Sequence, residues 1–426
     1  MKVLWFSNTP ALGSEYLNIN SVLKSTGGWM YALNKAIQGN VNLSVVFHHP
    51  YTISNFTHEK TDYYPIYTGN IIIHNLKKRF LSKVYDQDFL DDYFKIIEHV
   101  KPDVIHIHGT ENSFLCILEK TKIPIVISIQ GNLKVSHYKF LSGFHGKYLK
   151  INNSQITLKS ILFGRHTFYK SYAKMGKMAD IEERRLKFSK NIIGRTDWDK
   201  RITRILAPDS RYFQGNELLR SGFYEKQWNN EFTTGKIVLF TTSGDTYYKG
   251  FETICQALTL LNELGLAVEW RVAGISESSL ITKITKKHLG KIYPIKGLVL
   301  LGSLDERELI NNLQQSHLYI MASHIENSPN NLCEAMILGM PCVATFAGGT
   351  SSMLKDGEEG ILIQDGDPWA MAGSILEMRG SSEAAVSMGI KARLSALKRH
   401  CKDDIVSQLL DTYQIVIKQQ SYDGFV

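Results

Sequence analysis

Two glutamates frame the stretch best suited to chemistry in this 426-residue chain, Glu326-Asn-Ser-Pro-Asn-Asn-Leu-Cys-Glu334. Ser328 followed by Pro329 predicts a helix start. Serine is a favoured capping residue, and proline at the first helical position loses nothing by lacking an N–H. The free amides of such a start favour an anion, phosphate in particular. Carboxylates accept hydrogen bonds from hydroxyls. Glu326 lies just before the helix and Glu334 about one and a half turns into it. The pattern suits a ligand that is part phosphate and part hydroxyl-rich, such as a sugar nucleotide. By spacing alone, a capped surface helix with two ordinary glutamates explains it equally well.

Three further features fall at predicted strand ends. Thr241-Thr-Ser-Gly-Asp-Thr-Tyr-Tyr-Lys249-Gly250 follows a strand and precedes a helix. Its lysine can meet a phosphate as a point charge. Phe346-Ala-Gly348-Gly349-Thr350 is a glycine pair that admits close backbone approach. Gly274 and Gly302 end neighbouring strands. Singly, each is better explained as turn chemistry; together they lie on one rim.

The elements that must position these residues alternate regularly. Apolar runs at Lys2–Phe6, Leu43–Phe47, Val104–His108, Ile123–Ile129 and Asn191–Gly194 predict strands. Helical stretches open at Gly27-Gly28 and run over Phe89–His99. A second series begins at Lys236, with strands at Ile237–Phe240, Ala267–Ala273, Val299–Leu301, Leu318–Met321 and Pro341–Thr345. Helices are predicted over Gly250–Leu264, around Glu334, and over Asp403–Gln419. The least regular stretch, about 221–235, predicts the domain boundary. Such alternation implies parallel sheets covered on both faces. Open sheets of this kind bind ligands at the carboxyl ends of their strands.

Glu326-x7-Glu334, the Lys249-Gly250 pair, the Gly348-Gly349 turn and Asp356-Gly357-Glu358-Glu359-Gly360 resemble the donor half of glycosyltransferase family 4, in its bacterial polysaccharide-type members. The resemblance implies a retaining, metal-independent hexosyltransferase with no cofactor. It implies an α/β GT-B fold, two Rossmann-like doubly wound parallel-sheet domains facing a central cleft. Residues 1–225 would form the acceptor-binding domain and 226–404 the nucleotide-sugar domain, with a helix over 405–426 packing back on the first. Carried over by position, Glu334 would hold ribose hydroxyls, Glu326 the donor sugar and Lys249 the diphosphate. Asn327, Ser328, Asn330, Asn331 and Leu332 would supply amides beside sugar and phosphate, with Gly244 and Gly274 also on the donor side. One departure stands out. Family members usually carry an arginine after the glycine at 244, and here Asp245 follows Gly244. Either another cation serves, Arg195 being a candidate, or the diphosphate is held with less charge.

In the N-terminal half, Gly27-Gly28 resembles the family's glycine pair facing the donor phosphates, although a helix-starting turn explains it better on local grounds. Arg195-Thr196-Asp197-Trp198-Asp199 resembles a segment of bacterial members. Arg195, Glu111 and Asn132 are expected on the acceptor side. His106 and His108 share one face of a strand. Histidine is a common metal ligand, but no Cys, Asp or Glu set accompanies the pair, and no metal site is expected. His108, at the strand end beside Gly109-Thr110-Glu111, is expected to face the cleft, and His106 to be structural. Where many members have a histidine before a glycine, this chain has Gln130-Gly131. Glutamine cannot be a general base but can orient a substrate through hydrogen bonds. The resemblance implies front-face displacement, in which the leaving diphosphate helps take the acceptor proton. Stabilising that leaving group would be the largest contribution. The expected catalytic set is Glu326, Lys249, His108 and Gln130.

Composition bounds the surroundings. Apolar residues are 43 % of the chain and charged residues 21 %, the balance of a globular protein. Five separated cysteines without a Cys-x-x-Cys pair fit a reducing cytoplasm. No spanning helix and no signal peptide are expected. The net charge of +8 is concentrated. Residues 134–190 hold 13 of the 49 Lys and Arg but 3 of the 41 Asp and Glu. Cations there interleave with aromatics such as Tyr138, Phe140, Phe144 and Tyr172. A solvated helical face explains that composition. Nucleic acid would suit it too, but no such motif is present and none is expected as partner. An anionic membrane surface fits best, at about 1 kcal/mol per nearby Lys or Arg. The expected function is transfer of a sugar from a nucleotide sugar, a UDP-sugar, to a glycan or lipid-linked acceptor in surface polysaccharide biosynthesis (capsule or lipopolysaccharide). The expected location is the cytoplasm, peripheral on the inner face of the membrane. The alternatives are a soluble GT-B enzyme with a small acceptor, and a non-catalytic basic binding protein on a degenerate GT-B scaffold.

Overall fold

A computed structural model of the chain describes residues 1–17, 28–69, 89–144, 168–230, 232 and 235–423. It divides into two compact units. The first comprises Met1–Lys134, Gly176–Leu218 and His400–Val426; the second comprises Val135–Met175 and Leu219–Arg399.

The first unit is built on β1 (Lys2–Ser7), β2 (Asn42–His49), β3 (Phe56–His58), β4 (Thr61–Tyr67), β5 (Val104–His108), β6 (Ile125–Ser128), β7 (Asn191–Gly194) and β8 (Arg211–Gln214). They pair in the order β3-β4-β2-β1-β5-β6-β7-β8. All pairs are parallel except β3 with β4. The order reverses between β1 and β5, where Ser7 lies beside His108. The continuous apolar runs Val3–Phe6 in β1 and Ile125–Ile127 in β6 follow from burial on both sheet faces. Helix Gly28–Ile37 buries Met30, Leu33 and Ile37, and helix Lys402–Asp423 buries Ile405, Leu409, Tyr413 and Val416, in one core with Val3 and Trp5.

The second unit carries β9 (Ile237–Thr242), β10 (Val268–Ala273), β11 (Leu298–Gly302), β12 (Leu318–Met321), β13 (Cys342–Thr345) and β14 (Ile361–Ile363). The order β11-β10-β9-β12-β13-β14 is the doubly wound one, reversing between β9 and β12. Some of this unit's helix starts are fixed by side chains that satisfy the first amides. Asp305 and Glu308 form a capping box on Glu306–Gln314, and Asp367 caps Pro368–Gly380 with proline at the helix start.

Two expected boundaries shift. Leu219, Phe223 and Trp228 are buried in the second unit's core with Leu332 and Met336. The chain therefore changes unit after Leu218 and returns at His400, not at 225 and 404. The basic stretch 134–190, expected wholly in the N-terminal domain, is divided. Its described residues 135–144 and 168–175 belong to the second unit, because Phe140 and Phe144 are buried in that core with Tyr247 and Phe251. Lys147, Lys150, Lys159 and Arg165 lie outside the described residues. All five cysteines are free. Among the described residues no helix is long and apolar enough to cross a membrane.

Candidate functional site

Open α/β sheets present ligand-binding loops where the strand order reverses. In the second unit that point lies beyond the carboxyl ends of β9 and β12, and it gathers Lys249 and Glu326. Lys249 Nζ stands 2.5 Å from Glu326 Oε1, which also accepts a hydrogen bond from Ser323 Oγ at 2.7 Å. Burial opposes the lysine's charge, but Glu326 outweighs it and holds the ammonium above its ordinary pKa. Backbone fit fixes both residues. Gly250 has φ +70, and a Cβ there would strike the Ala322 carbonyl, so the loop bearing Lys249 lies hard against β12's exit. A Cβ at Gly348, φ +57, would strike the Glu326 carbonyl, and Gly349 N–H donates to that same oxygen at 2.9 Å. The Gly348-Gly349 turn therefore grips Glu326 from behind.

The helix expected to begin at Pro329 is Asn330–Leu338, with Pro329 as its extended capping residue. Ser328 does not cap it: its Oγ faces Met353 Sδ at 3.6 Å, and no side chain caps this helix. Its amino end thus keeps the character of an anion site. Asn331 Nδ2 donates to the Thr242 carbonyl at 3.1 Å and ties that end to β9. Asn327 is buried, and Asn330 Oδ1 is a buried acceptor without a partner. Leu332 departs from expectation. Its side chain is in the core and its N–H is shared between the Pro329 carbonyl and Asn331 Oδ1, so it offers nothing to a ligand.

Glu334 is buried, and both its oxygens are held by Arg220, Nε to Oε1 at 2.7 Å and Nη2 to Oε2 at 2.6 Å. Burial pushes the carboxyl's pKa up against the pull of that guanidinium. A carboxylate has about four acceptor positions, so the fork leaves a lone pair on each oxygen for hydroxyls. The sequence reading missed Arg220 because it lies on the wrong side of the expected boundary at 225.

Asp245, in place of the family's arginine, has a structural task. Its carboxylate accepts the N–H groups of Leu280 and Ile281 at 3.1 and 2.7 Å, capping helix Leu280–Leu289. Gly244 lies beside it in an open loop. Gly274, φ +92, packs against the Ser243 carbonyl and donates to Gly302 at 2.6 Å. Asp356 and Gly360 bridge in a tight turn, with Asp356 accepting from Leu362 N–H at 2.8 Å.

The first unit's reversal point is organised differently. His106 is buried, with Nδ1 2.6 Å from Tyr413 Oη and Nε2 2.7 Å from Ser128 Oγ. Burial pushes its pKa down to about 3. His108, expected to face an open cleft, is 1 % exposed. It packs edge-on to Trp5 at 4.6 Å and against Trp29 at 5.7 Å, and neither ring nitrogen has a partner. It lines a cavity of about 30 Å³ with Arg195 and Asn216. Burial holds the ring neutral, its pKa far below the usual value. The cause is period-two geometry. His108 shares His106's face of β5, and helix Lys402–Asp423 covers that face. Arg195 is also buried, paired with Glu217 at 2.5 Å and donating to the Ile129 carbonyl at 2.8 Å. It is committed inside the first unit and is not a substitute diphosphate cation.

Glu111 accepts from Asn8 Nδ2 at 3.1 Å, joining the ends of β1 and β5, and burial raises its pKa. Asn132 is buried and Gln130 is half-buried just beyond β6. Glu182, unforeseen, accepts from Leu133 N–H at 2.9 Å and from Thr110 Oγ1. Burial pushes its pKa to about 8. Its signal was its rarity, one of three acids in 134–190. Gly27 lies outside the described residues, and Gly28 opens a helix. Among the described residues, Glu15, His58 and Glu59 bring three ligand-type atoms within 4.8 Å.

Residues 235–380, which contain Lys249, Glu326 and Glu334, match the family model described as Glycosyl transferases group 1. This segment is a group 1 glycosyl transferase domain. Arg220 lies just outside it. The chain is 31 % identical over 106 residues to N-acetyl-alpha-D-glucosaminyl L-malate synthase of Bacillus anthracis, covering 25 % of this chain and 28 % of that protein. It is 25 % identical over 180 residues to the putative colanic acid biosynthesis glycosyltransferase WcaL of Salmonella typhimurium, covering 40 % and 43 %. The chain thus spans less than half the length of these two curated relatives. Solved structures resemble nearly the whole chain. Sucrose-phosphate synthase of Thermosynechococcus elongatus superposes with TM-score 0.68 at 12 % identity, covering 98 % of this chain and 100 % of its own. Anabaena HepE in complex with UDP and glucose gives 0.61 at 14 % identity, covering 97 % and 99 %. The fold is GT-B, of two Rossmann-like units, the second of which contains the group 1 segment.

Proposed function

We propose that the chain is a retaining, metal-independent glycosyltransferase that moves a sugar from a UDP-sugar to a glycan or lipid-linked acceptor in surface polysaccharide biosynthesis. The observation that carries this reading is the Lys249–Glu326 pair at the β9/β12 reversal point of a group 1 domain. The donor's diphosphate takes the Lys249 ammonium and the uncapped helix start at Asn330. Glu326 holds the sugar, and Glu334, steadied by Arg220, accepts the ribose hydroxyls. Charge on the leaving diphosphate rises in the transition state, so a preset cation and helix dipole lower the barrier. HepE's complex with UDP and glucose and WcaL's name support donor and pathway as analogies. Asp245 as a helix cap speaks against a degenerate donor site, because the aspartate is explained without loss of function. The excess of Lys and Arg over residues 134–190 supports an anionic membrane surface as partner, met from the cytoplasmic side.

A thermal-shift panel of nucleotide sugars tests the reading. A ligand at 100 times its dissociation constant adds about 2.7 kcal/mol of stability. UDP-sugars are expected to stabilise the chain and to be slowly hydrolysed by it. A panel with no stabilising nucleotide sugar sinks the proposal.

A further inference from the structure

His324 stands two residues before Glu326 and touches none of the ligand-binding groups above. Its imidazole is buried, 1 % exposed, between two carboxylates. Nε2 lies 2.6 Å from Glu252 Oε1, and Nδ1 lies 3.2 Å from Asp365 Oδ2. Glu252 follows Lys249 by three residues on the same loop-to-helix junction. The main chain repeats the link, for His324 N–H donates to the Tyr248 carbonyl at 2.8 Å. The segment bearing Lys249 and the segment bearing Glu326 are therefore joined twice, once by backbone and once by a side-chain pair.

The chemistry of the bridge requires charge. A neutral imidazole has one N–H and would turn a lone pair toward one carboxylate; an imidazolium donates to both. The groups facing it are few. Glu252 comes from helix Phe251–Glu263, with its second oxygen buried and unpartnered. Asp365 follows β14, and Lys139 Nζ stands 3.8 Å from it. Cys255, beside Glu252, has its thiol pushed up by burial and stays neutral. Gly143 closes the arrangement, since a Cβ there would run into Glu252 Oε1 and His324 Nε2.

We propose that His324 is a positioning residue for the donor: as an imidazolium bridging Glu252 and Asp365, it holds the β9 and β12 loops in register so that Lys249 and Glu326 face the same ligand. The role rests on the proposed glycosyl transfer. Burial works against the ring's charge, but Asp365 and Glu252 outweigh it and raise the pKa to about 9. Above that pH one ring nitrogen turns a lone pair toward a carboxylate, and the bridge loses one of its two hydrogen bonds. Lys249 keeps its own proton through this window, because its pKa is held above the ordinary 10.5. Uracil's own N3–H also ionises near this range, so the part of the loss of UDP binding that disappears in His324→Gln reports His324.

The test pairs two measurements on the full chain, nitrogen-15 NMR titration of the His324 ring and calorimetry of UDP binding, each between about pH 7 and pH 10. The wild type should show an imidazolium that titrates near 9, with UDP affinity falling about tenfold, or 1.4 kcal/mol, at the same midpoint. Asp365→Asn, at a half-buried site, should lower both midpoints together. His324→Gln should bind UDP about tenfold more weakly at neutral pH and keep only the pH dependence that uracil's own ionisation brings in this window. UDP affinity unchanged across the ring's titration, or His324→Gln binding like the wild type, would overturn the proposal. UDP binding at no pH, with the ring still titrating near 9, would overturn the functional reading on which the role rests and leave the ion bridge itself established.

Discussion

The two sheets place polar side chains at equivalent points and treat them in opposite ways. At the β9/β12 reversal, Lys249 and Glu326 sit on loops, their side chains 24 % and 11 % exposed, and pair with each other. At the β1/β5 reversal, His106 and His108 sit inside the strand and are sealed by helix Lys402–Asp423 and Trp29. Residue type at a strand end is the same signal in both. What differs is whether an element packs over it. The group 1 domain leaves its reversal point to loops; the first unit spends its histidines on packing.

That contrast can be broken at several places. Arg220→Ala should have the largest effect on folding, because it strands a buried Glu334. Removing one partner of a buried pair costs about 3–5 kcal/mol, and denaturant unfolding measures it. A change under about 1 kcal/mol would mean that water already solvates Glu334. Lys249→Ala should leave folding intact and lower turnover by about 100- to 1000-fold, the range for losing one transition-state charge stabiliser. Near-normal turnover would empty the second unit's side of the comparison.

Smaller effects are expected in the first unit. Tyr413→Phe removes the hydroxyl shared by Trp5 Nε1 and His106 Nδ1, at 2.9 and 2.6 Å. It should cost about 1–3 kcal/mol while UDP binding stays unchanged. The pH dependence of stability has a definite sign. His324 holds its proton in the folded state up to about 9, against 6.5 ordinarily. Its stabilisation is complete below about 6.5 and is lost as pH rises through about 9. Thermal unfolding should show that decline, flattened in Asp365→Asn. His108→Phe should be the mildest, within about 1 kcal/mol of wild type, since it deletes a buried polar group that has no partner. A large loss of activity in that variant would return His108 to the catalytic set.

The fold class was legible because parallel strands buried on both faces leave aliphatic runs that need no context. Where strands are short or interrupted, the signal fades. β4 carries Pro65, and β14 is three residues long. The donor-side cluster was legible from loop residues, whose polarity has no packing explanation. Arg220 was not, since nothing local shows that Leu219 and Phe223 pack with the second unit. Ser328 and His108 were misplaced for one reason. A cap or an exposed strand end is inferred from sequence neighbours, whereas Met353 and helix Lys402–Asp423 arrive from far along the chain.

That last helix bears on how the protein is made. Trp5 and Tyr413, joined by a hydrogen bond, are separated by 408 positions. At about 5–20 residues per second, the ribosome delivers Tyr413 tens of seconds after Trp5. The group 1 domain can thus be complete while the first unit, still without helix Lys402–Asp423, exposes Val3, Trp5 and His106. Removing helix Lys402–Asp423 should therefore injure the first unit more than the second.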